Sequence, residues 1–122
     1  MKTTGLGVTG ENIASNYIGD KGYVIHKRNF NSRFGEIDII AEYNGFLCFV
    51  EVKTRSAKRI AEGREYITKS KQNKLIKTAE YFMARNPSLI ESRGLQPRFD
   101  CIEIYVDAND EPIEINHLEN IF

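Results

Sequence analysis

Three charged residues, Asp38, Glu51 and Lys53, interrupt apolar segments in the middle of the chain. The run Phe46–Val50, directly before Glu51, is apolar throughout, which is typical of a strand buried on both faces. A carboxylate and an ammonium at the end of such a strand cost free energy to desolvate unless they pair or bind a metal. These residues are therefore the first candidates for chemistry.

Their types and spacing suit a site for one divalent cation. If Asp38 and Glu51 lie on neighbouring strands, both carboxylates can reach one ion, and the backbone carbonyl of Val52 would add a third oxygen ligand. Hard oxygen ligands with several retained waters suit Mg²⁺ or Mn²⁺. Lys53, two residues beyond Glu51 on the same strand face, would orient or activate the water that the metal holds and offset charge on a phosphate. These are the parts of metal-assisted phosphodiester hydrolysis.

A simpler interpretation of the same residues needs no metal. Lys53 would form a cross-strand salt bridge with Asp38 or Glu51, and such a pair adds little net stability. The residue types and their spacing leave both interpretations open.

A predicted β-hairpin positions these residues. Its parts are a strand at Gly35–Glu42, an Asn-Gly turn at Tyr43–Gly45 and a second strand at Phe46–Thr54. Because side chains on a strand alternate between its faces, Glu36 and Asp38 share one face of the first strand. Glu51 and Lys53 share one face of the second strand for the same reason.

Helices and further strands are predicted around the hairpin. They are a helix at Gly10–Ile18, a strand at Tyr23–Phe30, a helix at Thr68–Arg85, a strand at Phe99–Val106 and a short strand at Ile113–Ile115. Thr9 is the predicted N-cap of the first helix. Ser56–Tyr66 is predicted to be a loop beside the site, and Ser88–Pro97 a polar connector. This order predicts an α/β fold with a mixed central β-sheet flanked by helices.

Asp38 followed by Glu51-Val52-Lys53 resembles the signature of the PD-(D/E)xK nuclease superfamily, which has the restriction endonuclease-like fold. The strings Gly35–Ala41 and Phe49–Arg55 resemble the YraN-like family of small bacterial proteins, and the layout is similar to that of archaeal Holliday junction resolvases. Further matching positions are Gly10-Glu11, Gly22-Tyr23, Arg28-Asn29 and Arg98-Phe99-Asp100. Ile37 stands where the superfamily's name has proline, which members often lack.

The resemblance implies an α-β-β-β-α-β core and adds two residues to the site. In the resolvase-like branch a helical Glu completes the metal site, so Glu11 becomes a candidate ligand or water-orienting group. An acid in the first turn of a helix, favoured by the helix dipole, explains Glu11 equally well. The superfamily often uses a Gln or Lys on the later helix to support the site, which makes Gln72 a candidate; a polar residue at a helix end is the alternative.

Charge is distributed unevenly along a chain whose formal net charge is zero. Residues 53–77 contain nine basic and two acidic residues, whereas residues 99–122 contain seven acidic residues and no Lys or Arg. A basic segment after the proposed site could follow a phosphate backbone, and a solvated loop and helix face explains the same charges. The candidates for phosphate contact are Arg55, Lys69, Lys71 and Lys74.

These observations give three hypotheses about function. The first is a Mg²⁺-dependent nuclease that acts on DNA, with branched or structured DNA as the substrate and a homodimer to cut two strands, by analogy with resolvases. The second is a non-catalytic nucleic-acid-binding module that keeps the nuclease fold as a scaffold. The third is a metal-binding structural protein with no nucleic-acid partner.

Length and composition set further expectations. With 122 residues the chain is expected to form one domain spanning residues 1–122. No apolar run approaches the ~20 residues that a membrane helix needs, and no signal-peptide pattern follows Met1, so a cytoplasmic location is expected. Cys48 and Cys101 fall inside predicted strands, where small buried side chains are expected in preference to a disulfide or a zinc site.

Overall fold

The apolar segments of the sequence form a five-stranded β-sheet with helices packed on it. The structure is a computed structural model that describes residues 6–57 and 67–122, with side chains from residue 10 onward within these ranges. The elements are α1 (Leu6–Asp20), β1 (Val24–Ser32), β2 (Gly35–Tyr43), β3 (Phe46–Ser56), α2 (Lys69–Arg85), α3 (Pro87–Glu91), β4 (Gln96–Val106) and β5 (Pro112–Leu118). Most of the predicted loop Ser56–Tyr66 lies outside the described residues.

The five strands lie side by side in chain order, and the sheet is mixed. Strands β3 and β4 are parallel, whereas the other three neighbouring pairs are antiparallel. The parallel pairing sets Glu51 beside Cys101 and Lys53 beside Glu103. The end of β3 that carries the candidate residues therefore lies in the middle of the sheet, paired with β4 and just beyond the point where its pairing with β2 ends. A mixed sheet flanked by helices was predicted, and the structure confirms it.

The predicted hairpin is confirmed as β2 and β3. Its register pairs Ile39 with Val50 and Tyr43 with Phe46. Asn44 and Gly45 both have positive φ, at 51° and 84°, as a two-residue type I′ turn requires. The Asn-Gly dipeptide thus fixes the register that brings Asp38 opposite the end of β3.

Helices cover both faces of the sheet, so the central strands are apolar on both sides. The cluster on the α1 side contains Ala14, Ile18, Ile39, Val50, Ile102 and Ile104, and the cluster on the α2 side contains Ile40, Phe49, Leu75, Ala79 and Phe82. Since successive strand residues point to opposite faces, β3 needs apolar side chains at every position before Glu51. Cys48 and Cys101 are buried free thiols, as predicted.

The alternation of faces along β2 is interrupted at Asp38. Ile37 packs in the cluster on the α2 side, whereas Ile39 packs in the cluster on the α1 side. Strand β1 is irregular at the same level, because Asn29, between the residues that pair with Ile37 and Ile39, has a φ of 53°. Asp38 therefore lies where the strand changes from one core to the other.

Two predicted boundaries are wrong. Helix α1 begins at Leu6 and continues to Asp20, so Thr9 lies inside the helix and is not its N-cap. The glycines at 7 and 10 lower the helix propensity of this first turn, so the sequence pattern did not predict it as helical. The predicted connector Ser88–Pro97 contains most of α3 and the start of β4, because Pro87 provides a fixed φ at the first position of a short helix.

Helix α2 matches its prediction closely. Thr68 is the N-cap, and its side chain accepts a hydrogen bond from the Lys71 N–H. The helix ends at Arg85 with Asn86 as its C-cap. None of the described helices combines the length and the apolar character that are needed to span a bilayer.

Gly10 allows α1 to lie directly on β3. A Cβ atom at this position would lie 1.9 Å from Thr54 Oγ1 and 3.3 Å from Thr54 Cβ. No rotation of Thr54 relieves the contact with its own Cβ, so a side chain at Gly10 requires the helix or the strand to shift. The close approach also fixes the position of the next residue, Glu11.

We expect Gly10→Ala to lower the free energy of unfolding by about 1–3 kcal/mol, because the added methyl group forces apart a close-packed contact. The matched control is Gly19→Ala in the same helix, where a Cβ would meet nothing within 4 Å. That substitution should leave stability unchanged or raise it by up to about 1 kcal/mol. Urea unfolding followed by circular dichroism measures both. Equal effects at the two positions would contradict the close contact.

Candidate functional site

Asp38 and Glu51 line the same small cavity, at the point where β2 and β3 diverge beneath the start of α2. We call it the acidic cavity. Its volume is about 190 Å³, and it is lined by Gly35, Glu36, Asp38, Glu51, Lys71, Lys74 and Leu75. The hairpin therefore brings the two predicted carboxylates together, and α2 adds lysines to the opposite wall.

Asp38 is held by the backbone of the neighbouring strand. Its Oδ2 accepts a hydrogen bond of 2.8 Å from the Val52 N–H. In an extended strand the N–H and the C=O of one residue point to the same side. The backbone of Val52 therefore presents both groups toward β2, which is the orientation that the predicted carbonyl ligand requires.

The surroundings of Asp38 also destabilise its ionised form. Burial raises the pKa of Asp38 from its ordinary value of 3.8 to about 6; the hydrogen bond from Val52 opposes this rise, and the negative charges of Glu51, Glu11 and Glu36 add to it. The carboxylates of this region are therefore close enough to repel one another at neutral pH. A bound cation would relieve that repulsion.

The donor set of the site is small. In the part of the chain that the structure describes, no three His, Cys, Asp or Glu side chains are grouped closely enough to hold a metal ion by themselves. The acidic cavity offers the Asp38 and Glu51 carboxylates and the Val52 carbonyl, an all-oxygen set that fits a cation which keeps several waters. This chemistry suits Mg²⁺ and Mn²⁺, and it does not suit zinc.

Two ammonium groups contact one oxygen of Glu51. Lys53 Nζ lies 3.2 Å and Lys71 Nζ 3.1 Å from Glu51 Oε2, although Glu51 is only 8% exposed. The pair between Lys53 and Glu51 runs along one strand, whereas the sequence suggested a salt bridge between strands. Lysines therefore neutralise the more buried of the two carboxylates.

Glu11 extends from the second turn of α1 into the sheet and is 6% exposed. Its Oε1 lies 3.7 Å from Arg28 Nη2, and its charge is one of those that raise the pKa of Asp38. The alternative of a first-turn acid favoured by the helix dipole is wrong, because α1 begins five residues earlier, at Leu6. The predicted role as a ligand or water-orienting group stays a prediction.

Gln72 lies near Lys53, at the start of α2. Its Nε2 donates a hydrogen bond of 3.1 Å to the Ile67 carbonyl, and both Gln72 and Lys53 line a second, larger cavity described below. The role of Gln72 in supporting the site stays a prediction.

The four candidates for phosphate contact differ in their positions. Lys69 and Lys74 are exposed on α2, and Lys74 also lines the acidic cavity. The Lys71 side chain is 42% exposed, and its Nζ reaches Glu51. Arg55 has a side chain only 9% exposed, with its Nε 3.8 Å from Glu103 Oε2, so it lies against a buried carboxylate.

The sequence contained a signal for Lys71 that the prediction missed. Lys71 precedes Leu75 by four residues, and residues four apart lie on the same face of a helix. Because Leu75 belongs to the buried stripe, this spacing places Lys71 at the edge of the helix face that packs on the sheet, near the first turn of α2. Arg28 pairs with Glu11 and donates a 2.8 Å hydrogen bond to Asn12 Oδ1, which are contacts between β1 and α1 that no local pattern in the sequence indicates.

A second buried carboxylate, Asp100, has the opposite electrostatic character. Arg98 donates two hydrogen bonds to it, at 2.9 and 2.8 Å; His117 Nε2 lies at 2.9 Å and the Asn120 N–H donates at 3.0 Å. Burial alone would raise the pKa of Asp100, but the hydrogen bonds from His117, Arg98 and Asn120 outweigh it and hold the pKa below its ordinary value. Asp100 is a satisfied structural residue, with donors on both oxygens.

Comparison with known proteins gives a family but no activity. The model of the uncharacterised protein family UPF0102 matches residues 10–104. A UPF0102 protein of Caldanaerobacter subterraneus subsp. tengcongensis is 39% identical over 118 residues, covering 96% of this chain and 93% of the relative. A UPF0102 protein of Caldicellulosiruptor saccharolyticus is 38% identical over 122 residues and covers both chains completely. One from Clostridium botulinum is 38% identical over 117 residues, with 96% and 93% covered.

We expect Asp38→Asn to stabilise the metal-free protein at neutral pH. Because the pKa of Asp38 rises from 3.8 to about 6 on folding, the folded chain binds this proton more tightly than the unfolded chain. Wild-type stability from this group is therefore lost as the pH rises between these values. The variant should gain about 1–3 kcal/mol at neutral pH and nothing below about pH 3.5. Urea unfolding in EDTA across this pH range measures the difference.

Asp100→Asn is the matched control, with the opposite sign. The lowered pKa of Asp100 means that its carboxylate stabilises the fold above its ordinary pKa and ceases to do so as the pH falls. Its substitution should cost about 3–5 kcal/mol at neutral pH, because Arg98 and His117 lose their buried partner. A loss of stability in Asp38→Asn at neutral pH would contradict the inferred repulsion.

Proposed function

The chain belongs to the uncharacterised protein family UPF0102, and we propose that it is a Mg²⁺- or Mn²⁺-dependent nuclease that hydrolyses phosphodiester bonds of DNA. Membership confirms the predicted YraN-like family; the PD-(D/E)xK superfamily and the activity belong to the proposal. The observation that carries it is one cavity in which Asp38 and Glu51 meet, with the ammonium of Lys53 3.2 Å from Glu51.

The arrangement of elements supports a restriction endonuclease-like fold. Asp38 lies on the first strand of a hairpin, Glu51 and Lys53 lie at the end of the second, and Glu11 approaches from the preceding helix. The helix after the hairpin, α2, covers the same end of the sheet and adds Gln72 and Lys71. This is the α-β-β-β-α-β order that the signature residues imply.

The residues present fit a magnesium-type ion. Asp38, Glu51 and the Val52 carbonyl would hold it, and Glu11 would complete the set or orient a water. When bound, such an ion makes a water more acidic and neutralises charge on the phosphate. The raised pKa of Asp38 supports this assignment. It shows that the fold destabilises the ionised form of this carboxylate, and a bound cation would stabilise that form.

Lys53 would act on the phosphate. Both Lys53 and Lys71 contact Glu51 Oε2, so a cation at that carboxylate would release ammonium groups from it. Lys53 could then pair with the phosphate under attack and position the attacking water, as the sequence predicted. Lys69, Lys71 and Lys74, along the first turns of α2, would contact neighbouring phosphates, and binding through them would weaken steeply with salt.

A specific observation also favours the second hypothesis, a nucleic-acid-binding module without catalysis. Lysines already neutralise Glu51, and the described residues hold no cluster of three metal-ligating side chains. Such a module would bind DNA in EDTA and would tolerate Lys53→Ala, whereas loss of Lys69, Lys71 and Lys74 would abolish its binding. A metal-binding structural protein would show no salt-dependent binding of DNA or RNA.

Calorimetric titration of Mn²⁺ and Mg²⁺ tests the metal site. Wild-type protein should bind, and both Asp38→Asn and Glu51→Gln should lose binding, because each removes a charged oxygen ligand. Both variants keep a side-chain oxygen and the shape of the residue, so a loss reports the charge. Unchanged titrations in both variants would overturn the site.

A cleavage assay on branched, single-stranded and duplex DNA in the same buffers tests the activity. Metal-dependent cutting should fall by about 10²-fold or more in Lys53→Ala, because charge on the phosphate loses its nearest ammonium. Lys77→Ala, on the exposed side of α2, is the matched control and should cut like the wild type. If no variant and no metal changes the outcome while DNA still binds, the chain is the binding module.

A further inference from the structure

A second cavity adjoins the acidic cavity and is more than twice its size. It occupies about 450 Å³ between the end of β3, the middle of β4 and the start of α2. We call it the second cavity. Its volume lies within the range of about 300–1,000 Å³ that is usual for sites that bury a small organic ligand.

The two cavities share a wall. Lys71 lines both of them, and Lys53 lines the second cavity while it contacts Glu51 of the first. A phosphate held beside Asp38 and Glu51 would therefore have the second cavity as its immediate neighbour. Whatever group follows that phosphate along a nucleic-acid strand lies at the mouth of this cavity.

The lining combines charged and apolar side chains. Lys53, Arg55 and Lys71 line it together with one carboxylate, Glu103, which lies 3.8 Å from Arg55 Nε, so positive charge is in excess. The apolar surface consists of Ile67, Cys101, Leu118 and Ile121. Burial raises the pKa of the Cys101 thiol to about 12, so this side chain is an uncharged part of that surface. Positive charge beside an apolar surface matches a phosphate linked to a flat aromatic ring.

Gln72 adds a hydrogen-bonding group to the second cavity. Its Nε2 is engaged with the Ile67 carbonyl at 3.1 Å, which fixes the amide, and its Oε1 keeps the capacity to accept a hydrogen bond. An amide in a fixed orientation can read the donor edge of a nucleobase. The cavity therefore has each feature that a nucleotide site needs: charge, an apolar surface and an edge-reading group.

A base in intact duplex DNA cannot enter such a cavity, because it is stacked and paired inside the helix; it must be single-stranded or extruded. We propose that the second cavity binds one unpaired nucleotide beside the scissile phosphate, so that the protein acts at gaps, flaps and branch points in preference to intact duplex. The position of the scissile phosphate rests on the proposed nuclease function. The cavity itself, and its preference for an unpaired base, can be tested without cleavage.

The test measures binding of two DNA probes by Asp38→Asn protein in EDTA, where metal-dependent cutting is absent. Both probes carry the fluorescent base 2-aminopurine in the same sequence, unpaired in a one-nucleotide bulge in one probe and fully paired in the other. The bulged probe should bind about tenfold more tightly, since burying and stacking one base is worth about 1–3 kcal/mol. Its fluorescence should change on binding, whereas that of the paired probe should not.

Ile121→Trp fills the second cavity and should remove the tenfold preference while the protein stays folded. Ile113→Trp is the matched control: the same substitution on β5 at a residue that is 52% exposed, outside the cavity lining, should keep the preference. Gln72→Leu provides an independent variant of nearly equal volume, which should weaken binding of the bulged probe alone. Unfolding curves of all three variants identify any that fail to fold.

Equal affinity for the two probes overturns the inference, and so does a folded Ile121→Trp variant that keeps the preference. These outcomes are separable from failure of the nuclease proposal. If the protein cuts intact duplex in a metal-dependent way and binds both probes equally, the nuclease proposal stands and the nucleotide site is refuted. If Ile121→Trp abolishes the preference for the bulged probe but the protein cuts no DNA, the nucleotide site stands and the nuclease proposal is refuted. Failure to bind either probe in EDTA overturns the nucleotide site, and the cleavage assay with metal then decides the nuclease proposal by itself.

Discussion

The structure around the site depends on the cost of placing carboxylates at the end of a strand that is buried on both faces. Because helices cover both sides of β3, Glu51 is 8% exposed, and Asp38 on the next strand has its pKa raised to about 6. Every nearby element supplies some compensation. The backbone of β3 donates to Asp38, α2 supplies Lys71 to Glu51, and β1 supplies Arg28 to Glu11. The positions of these elements are therefore tied to the balance of charge as well as to apolar packing.

Comparison of Asp38 with Asp100 shows how this fold accommodates a carboxylate that is only structural. Asp100 receives donors from Arg98, His117 and Asn120, and its pKa falls below the ordinary value despite burial. Asp38 receives one backbone donor and stands among other acids. The same fold could have provided Asp38 with an arginine, as it did for Asp100. Residual strain of this kind is typical of functional sites, and it supports an interpretation in which a cation completes the set.

The parts of this arrangement that the sequence predicted are those set by local rules. The Asn-Gly turn and the apolar run before Glu51 specify the hairpin, and the two-residue period of strands then brings Asp38 and Glu51 together. The start of α1 was missed because Gly10, which disfavours a helix locally, is there for a tertiary contact with Thr54. The partners of Asp100 on and after β5 were missed because that contact depends on the pairing of β4 with β5, which no local pattern encodes. The contact between Lys71 and Glu51 was missed because it depends on where α2 crosses the end of β3, although Lys71 and Leu75 lie on one face of the helix.

The separation of charge between the two helices has a consequence for how ligands would bind to the proposed nuclease. Helix α1 brings the acid Glu11 toward Asp38, and α2 brings the ammonium of Lys71 to Glu51. The site is thus neutralised internally by ion pairs that a cation or a phosphate alone would have to break. A cation at Asp38 and Glu51 would release Lys53 and Lys71, and a phosphate would accept them. Each ligand would remove the penalty that opposes the other, so metal and nucleic acid would bind with positive and reciprocal coupling.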